Sequence, residues 1–175
     1  MAIHQLIKND HLLLTIPLSG VSEDADREQI KNDLIETMKN FNGIGLSANQ
    51  VGIMERVFAM YGDFSKREAI ACFNPKITYE SEEQDFMEEG CLSYPGLWLK
   101  LKRPIWIEVE YENENGEQIK NKLKGLEARV FQHEYDHMDG TDFTKKVSKL
   151  RLNMAKKRQK KQLKKSLNLS KNRLK

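Results

Sequence analysis

Charge distribution sets the first limit on how this chain can fold. Its 175 residues carry a formal net charge of only +3, but that figure averages two regions of opposite character. From Lys145 to Lys175 there are 14 Lys or Arg and no Asp or Glu, while residues 1–144 hold the other 15 basic side chains against all 26 acidic ones, so the body is net −11 and the tail +14. A block of like charge repels itself and adds little to a core. The expected organisation is therefore one globular domain over residues 1–144 and a separate basic helix or tail over 145–175. At 39% hydrophobic and 31% charged, the chain has apolar material for one core. No stretch approaches the roughly 18 apolar residues that span a bilayer, and Met1–Asp10 lacks the charged and then apolar pattern of a secretory leader. A cytoplasmic protein with no membrane partner is expected. In that compartment Cys72 and Cys91 should be free thiols, and one of them is available as a ligand.

The body reads as α+β. Ser22 and Asp24 can cap a helix whose apolar positions are Ile30, Leu34, Met38 and Phe41, which predicts an amphipathic N-terminal helix over Ala25–Asn40 closed by Asn42-Gly43. Short β-rich runs follow at Val57–Tyr61, Ile70–Phe73, Lys76–Tyr79 and Ile105–Tyr111. A turn cluster at Glu112–Gly116 returns the chain through Gln118–Lys124 as a hairpin partner. Helical spacing resumes over Leu126–Met138, with Leu126, Val130, Phe131 and His137 roughly on one side. Turns and hairpins between strands favour antiparallel sheets around a buried helix. In the tail, Val147, Leu150 and Met154 predict a C-terminal basic helix docked by a narrow apolar stripe. Beyond Ala155 that stripe thins to Leu163, Leu167 and Leu169, so exposure and poor order are expected there.

Chemistry enters on the second helix. His133-Glu134-Tyr135-Asp136-His137 is an H-E-x-x-H pattern: imidazoles at i and i+4 lie one turn apart on one face and can share a metal, with the Glu beside it as general base. A charged helix face carrying two ordinary histidines is the alternative. His4 and His11, near the start, have no comparable partners and are expected at the surface. A hydrolytic metal needs a third protein ligand and an open position for water. No Glu follows Glu134, and Phe143 occupies the place of a third histidine in H-E-x-x-H-x-x-G-x-x-H. The ligand must come from upstream, where Cys91 in Glu89-Gly90-Cys91-Leu92-Ser93 is the candidate; core packing is its other reading.

Three segments in order resemble the motifs of the peptide deformylase family. Gly43-Ile44-Gly45-Leu46-Ser47-Ala48-Asn49-Gln50 is similar to G-x-G-L-A-A-x-Q, Glu89–Ser93 to E-G-C-L-S, and Gln132–Gly140 to Q-H-E-x-D-H-L-x-G. The resemblance spans about residues 10–145. Ser47 stands where the pattern has Ala and Met138 where it has Leu. The resemblance implies that Cys91, His133 and His137 bind one divalent metal, Fe2+ in the native state with Zn2+ or Ni2+ as substitutes. It implies that Glu134 is the general acid–base, and that the Gln50 amide and the Leu92 backbone N–H stabilise the developing oxyanion. The substrate would be the formyl-methionine terminus of nascent polypeptides and the product formate.

Gly43 and Gly45 could simply end the first helix. With Gln50 following, they read better as an extended edge that pairs with substrate backbone, where glycine permits close approach. Ile44 and Gly45, with Gly90 opposite, are the candidate main-chain contacts, and Val130 a candidate for the methionine pocket. For the tail the candidate partner is the ribosome, through ribosomal RNA, as the resemblance implies; a solubilising tail is the plainer alternative. Two other functions remain open on sequence: a metallopeptidase that cuts internal peptide bonds, and an RNA-binding module acting through the tail.

Overall fold

Strand periodicity governs the middle of the chain. Seven strands, β1 (Gly45–Ser47), β2 (Val57–Asp63), β3 (Glu68–Glu80), β4 (Gln84–Gly90), β5 (Trp98–Pro104), β6 (Trp106–Glu112) and β7 (Gln118–Lys124), follow one another, with a 3-10 helix at Ala48–Val51 between β1 and β2 and no helix between the others. In the computed structural model, which describes residues 2–173 and side chains as far as 165, they form two antiparallel sheets. One has five strands in the order β1-β2-β3-β6-β7; the other is the β4-β5 hairpin. The mixed helix and antiparallel-sheet architecture is the expected one.

In the sheets, two features differ from expectation. The separate strands expected at Ile70–Phe73 and Lys76–Tyr79 are one strand, β3. Asn74 takes φ 48° and the register against β6 shifts between Phe73 and Lys76, so a local irregularity next to Pro75 interrupts the pattern but not the strand. The β4-β5 hairpin was not expected. Its β5 half does alternate, with Leu99, Leu101 and Arg103 buried between exposed neighbours, but β4 runs through Asp85, Glu88 and Glu89, residues that sequence patterning scores as loop.

Helix α1 (Arg27–Asn40) starts two residues later than expected because Asp26, not Ser22 or Asp24, accepts the capping bond from Gln29 N–H at 3.0 Å. Leu34 and Met38 pack under it against β1 and β2 with Leu46, Val57 and Ala59. His4 lies on α1, its ring 3.2 Å from Asp33, and is half-buried; His11 is exposed and accepts from Leu13 N–H. Helix α2 (Gly125–Met138) threads between the large sheet and the hairpin. From Ala128 to Met138 only Tyr135 escapes burial, so the helix is enclosed on nearly all sides and carries buried polar groups as well as Val130, Phe131 and Met138. Leu126, expected on its packed side, is instead 42% exposed. Cys72 is buried in the core beneath α2, and both cysteines are free thiols.

Helix α3 (Lys149–Arg173) continues well past Ala155, since the segment is built of strong helix formers with neither Gly nor Pro. Its docking stripe is displaced from the expected one. Leu150 is 71% exposed and Met154 49%, whereas Val147, Leu152 and Ala155 pack against Tyr94, Leu97, Leu99, Leu101 and Phe143. Val147 lies in extended backbone before the helix begins, so counting helical phase from it selects the wrong face. Leu163 is 49% exposed, while the side chains of Leu167 and Leu169 lie outside the described residues. Among the described residues no helix is long and apolar enough to cross a membrane.

Candidate metal centre and active-site cleft

The first donor comes from a strand end. After Gly90 the chain leaves β4 in a tight turn, with Tyr94 N–H donating to Cys91 O at 2.9 Å and Leu97 N–H to Tyr94 O at 3.0 Å. This delivers Cys91 to the face of α2 that carries His133 and His137. One ligand atom from each of the three residues lies within 4.8 Å of the others, and Cys91 Sγ is 3.4 Å from His137 Nε2. The sequence offered both histidines through one motif and the cysteine as the third ligand they lack; the fold gathers them. One sulfur and two imidazoles, converging and mostly buried, fit a single divalent cation.

The group around them suits a positive charge. His133 Nδ1 bonds to Glu89 Oε2 at 2.9 Å, which fixes the ring and leaves Nε2 for a metal. Glu89 also takes Arg103 Nε and Nη2 at 2.7 and 2.9 Å and Arg129 Nη1 at 3.0 Å. Arg103 reaches Asp136 at 2.9 Å, and Asp136 reaches Lys146 at 2.9 Å. Burial alone would push the Glu89 carboxyl up, but its bonds to His133 and Arg103 hold it down at about 2. His133 shows the same balance with the shift in the other direction: burial works against its charged form, and its contacts with Cys91 and Glu89 outweigh burial and raise it. Burial, with His133 beside it, lowers His137 to about 3. A positive charge is therefore favoured at His133, while His137 is held as the neutral ring that ligation requires. Glu89 and Arg103 were not singled out in sequence. Glu89 sits in a quoted motif, two residues before the cysteine, and Arg103 is an inward position of an unrecognised strand.

Glu134 is held from the β1 side. Its Oε2 accepts from Ser47 Oγ at 2.6 Å, and a Cβ placed on Gly45 would come within 2.4 Å of Oε1 and 2.8 Å of Val130 Cγ1. The missing side chain of Gly45 thus makes room for the Glu134 carboxylate, a reason different from the substrate approach expected of it. Burial raises the Glu134 carboxyl above its ordinary value. Gln50, at the end of the same segment, donates Nε2 to Cys91 Sγ at 3.2 Å and to Ser93 Oγ at 3.0 Å, and its Oε1 accepts from Ser47 N–H at 2.9 Å. Ser93 is a further neighbour that sequence reasoning passed over. At the far end of the third motif, Gly140 takes φ 66° where any Cβ would strike Thr15 O at 2.6 Å, so glycine is needed both for the turn and for the approach of the N-terminal segment.

A cavity of about 710 Å³ opens over this cluster. Ile44, Gly90, Leu92 and Val130 line it, together with His133 and Glu134; Gly45 lies behind its wall. Of the residues singled out in sequence, all but Gly45 therefore border the cavity or stand, like Gln50 and His137, directly on Cys91.

The polypeptide deformylase family model matches residues 3–153. A peptide deformylase of Thermodesulfovibrio yellowstonii is 39% identical over 163 residues, covering 90% of this chain and 97% of that protein. Among solved structures, a peptide deformylase from Legionella pneumophila superposes with a TM-score of 0.84 at 30% identity, over 95% of this chain and 98% of the other. A class I type b enzyme from Acinetobacter baumannii with Met-Ala-Ser bound gives a TM-score of 0.77 at 29% identity, over 83% and 99% of the two chains. With a family match over nearly the whole body and relatives aligned end to end, the chain belongs to the polypeptide deformylase family.

Proposed function

We propose that the chain is a metal-dependent hydrolase that removes the formyl group from the formyl-methionine terminus of nascent polypeptides, with residues 1–144 as the catalytic domain. The observation that carries the reading is the Cys91, His133 and His137 donor set with the Glu134 carboxylate beside it at the foot of one long cleft. Family membership sets aside cleavage of internal peptide bonds and a purely RNA-binding role.

Cys91, His133 and His137 would hold one ion, Fe2+ by family resemblance, with Zn2+ or Ni2+ able to replace it. Bound there, such an ion would supply Lewis acidity and a water of lowered pKa. Glu134 accepts the proton of the attacking water and hands it to the departing amine, a role matched by its burial and its fixed carboxylate. As negative charge gathers on the formyl oxygen, the Gln50 amide and the Leu92 N–H stabilise it, and one such donor is typically worth ~3 kcal/mol. Gln50 Nε2 already points at Cys91 Sγ, so its donor faces the reacting centre before substrate arrives.

Substrate binding follows from the sheet. β1 is an edge of the five-stranded sheet; Ile44, just before it, lines one wall of the cleft with Gly45 behind it, and Gly90 lies on the other wall. Ile44 C=O is taken by Tyr61 N–H at 3.3 Å, so strand alternation turns the peptide groups of Gly45 toward the open edge. An extended peptide adds there as a strand, and Val130 contributes to the apolar pocket for methionine. The bound Met-Ala-Ser of the Acinetobacter relative supports an unformylated methionine peptide as the occupant. For the +14 segment 145–175, ribosomal RNA is the proposed partner, bound by phosphate contacts from α3. An anaerobically prepared protein should release stoichiometric formate from formyl-Met-Ala-Ser and leave an unformylated protein uncut; proteolysis without formate release would reverse the assignment.

A further inference from the structure

The cleft does not end at the methionine pocket. Its outer rim carries large apolar side chains left in water: Trp98 is 62% exposed, Ile44 45%, Leu126 42% and Phe41 39%, and all four border the cavity that has Cys91 at its base. Scattered singly, such residues mean little. Gathered on one rim continuous with a binding cleft, they mark a surface that an apolar partner covers.

Trp98 is the largest of them and is held in place. It opens β5 directly opposite Gly90 of β4. A Cβ built on Gly90 would meet three carbons of the indole six-membered ring at 3.0–3.1 Å. Any other residue at 90 would push the ring aside; glycine lets it lie over β4, one residue from Cys91. The indole therefore forms an apolar shelf beside the path that a peptide takes as it leaves the metal centre between β1 and Gly90.

We infer that Trp98 is a specificity-determining residue: it selects bulky apolar or aromatic side chains just downstream of the formyl-methionine. The inference rests on the deformylase reading above. Main-chain pairing along β1 is indifferent to side chains, so it supplies general affinity, while the shelf adds preference. Covering roughly 55 Å² of apolar surface is worth about tenfold in kcat/KM.

The test uses the metal-loaded full chain and two peptide series, formyl-Met-X-Ser and formyl-Met-Ala-X, with X as Gly, Leu or Phe. In at least one series the ratio of kcat/KM for Leu or Phe over Gly should be near ten, and Trp98→Ala should bring that ratio close to one. The only other tryptophan, Trp106, stacks on Tyr79 at 5.1 Å with Lys122 Nζ 3.4 Å from its ring centre, so Trp106→Phe leaves Trp98 as sole reporter. Its emission should shift to the blue on titration with the product peptide that carries the preferred residue. Formate release with flat ratios in both series, or a ratio that survives Trp98→Ala, overturns the inference alone; no formate from any peptide overturns the activity on which it rests.

Discussion

Removing the Glu89 charge tests the network behind the metal ligands most directly. In Glu89→Gln the side-chain size is kept, but the carboxylate that Arg103 grips twice and Arg129 once becomes neutral, and the acceptor for His133 Nδ1 is weakened. Breaking a buried ion pair by losing one partner costs about 3–5 kcal/mol. Arg103 keeps Asp136 at 2.9 Å, which places the expected loss near the lower end, about 3 kcal/mol. For a chain of this length that corresponds to a fall in Tm of roughly 6–12 °C. The loosened His133 should weaken metal affinity by about 10–100-fold. The pH dependence gives an independent check with a definite sign. Glu89 is held at about 2, below its ordinary 4.5, so its contribution is complete above pH 4.5 and disappears as pH falls toward 2. Urea unfolding of the metal-free proteins should therefore show a stability gap between wild type and Glu89→Gln that is constant near neutrality and closes through that acidic window. A Tm within 2 °C of wild type together with unchanged resistance to chelators would refute the reasoning.

Three further outcomes are expected. Cys91→Ala, His133→Ala and His137→Ala should each lose both metal and activity, while Glu134→Gln retains metal by elemental analysis and loses turnover; a near wild-type rate in Glu134→Gln removes it as the base. Gln50→Ala should lower kcat by roughly 10²–10³ with a smaller change in KM, and an effect confined to KM would make Gln50 a binding residue. A chain ending at Ala155 should still deformylate a short peptide but lose salt-sensitive co-sedimentation with ribosomes; undiminished co-sedimentation excludes α3 as the docking element.

Much of the site was legible because its parts are local in sequence. His133, Glu134 and His137 lie within one helical turn and need only a helix to face the same way. Cys91 and Gln50 were reached through short motifs, and the fold places Gln50 Nε2 3.2 Å from Cys91 Sγ. What stayed hidden depends on partners far along the chain. Arg103 matters through Glu89, 14 residues earlier, and Arg129 through the same carboxylate, 40 residues earlier. Neither spacing leaves a periodic trace. The β4-β5 hairpin was hidden for a related reason: of the β4 charges Asp85 and Glu88 face water, while buried Glu89 is tolerated because it is paired across the fold, and pattern alone does not reveal pairing. In α3 the failure was one of phase, since the apolar contact begins at Val147 before the helix does.

The ion-pair chain from Lys146 through Asp136, Arg103 and Glu89 to His133 also bears on how the centre is filled. Small zinc domains fold only when their ion arrives. Here the donors are anchored by protein groups: Glu89 orients His133, Asn49 donates to the His137 carbonyl at 2.9 Å, and Gln50 meets Cys91. Donors tied this firmly to the rest of the fold should keep their places when an ion is removed, so a chelator should empty the centre while the far-UV circular dichroism of the chain stays unchanged.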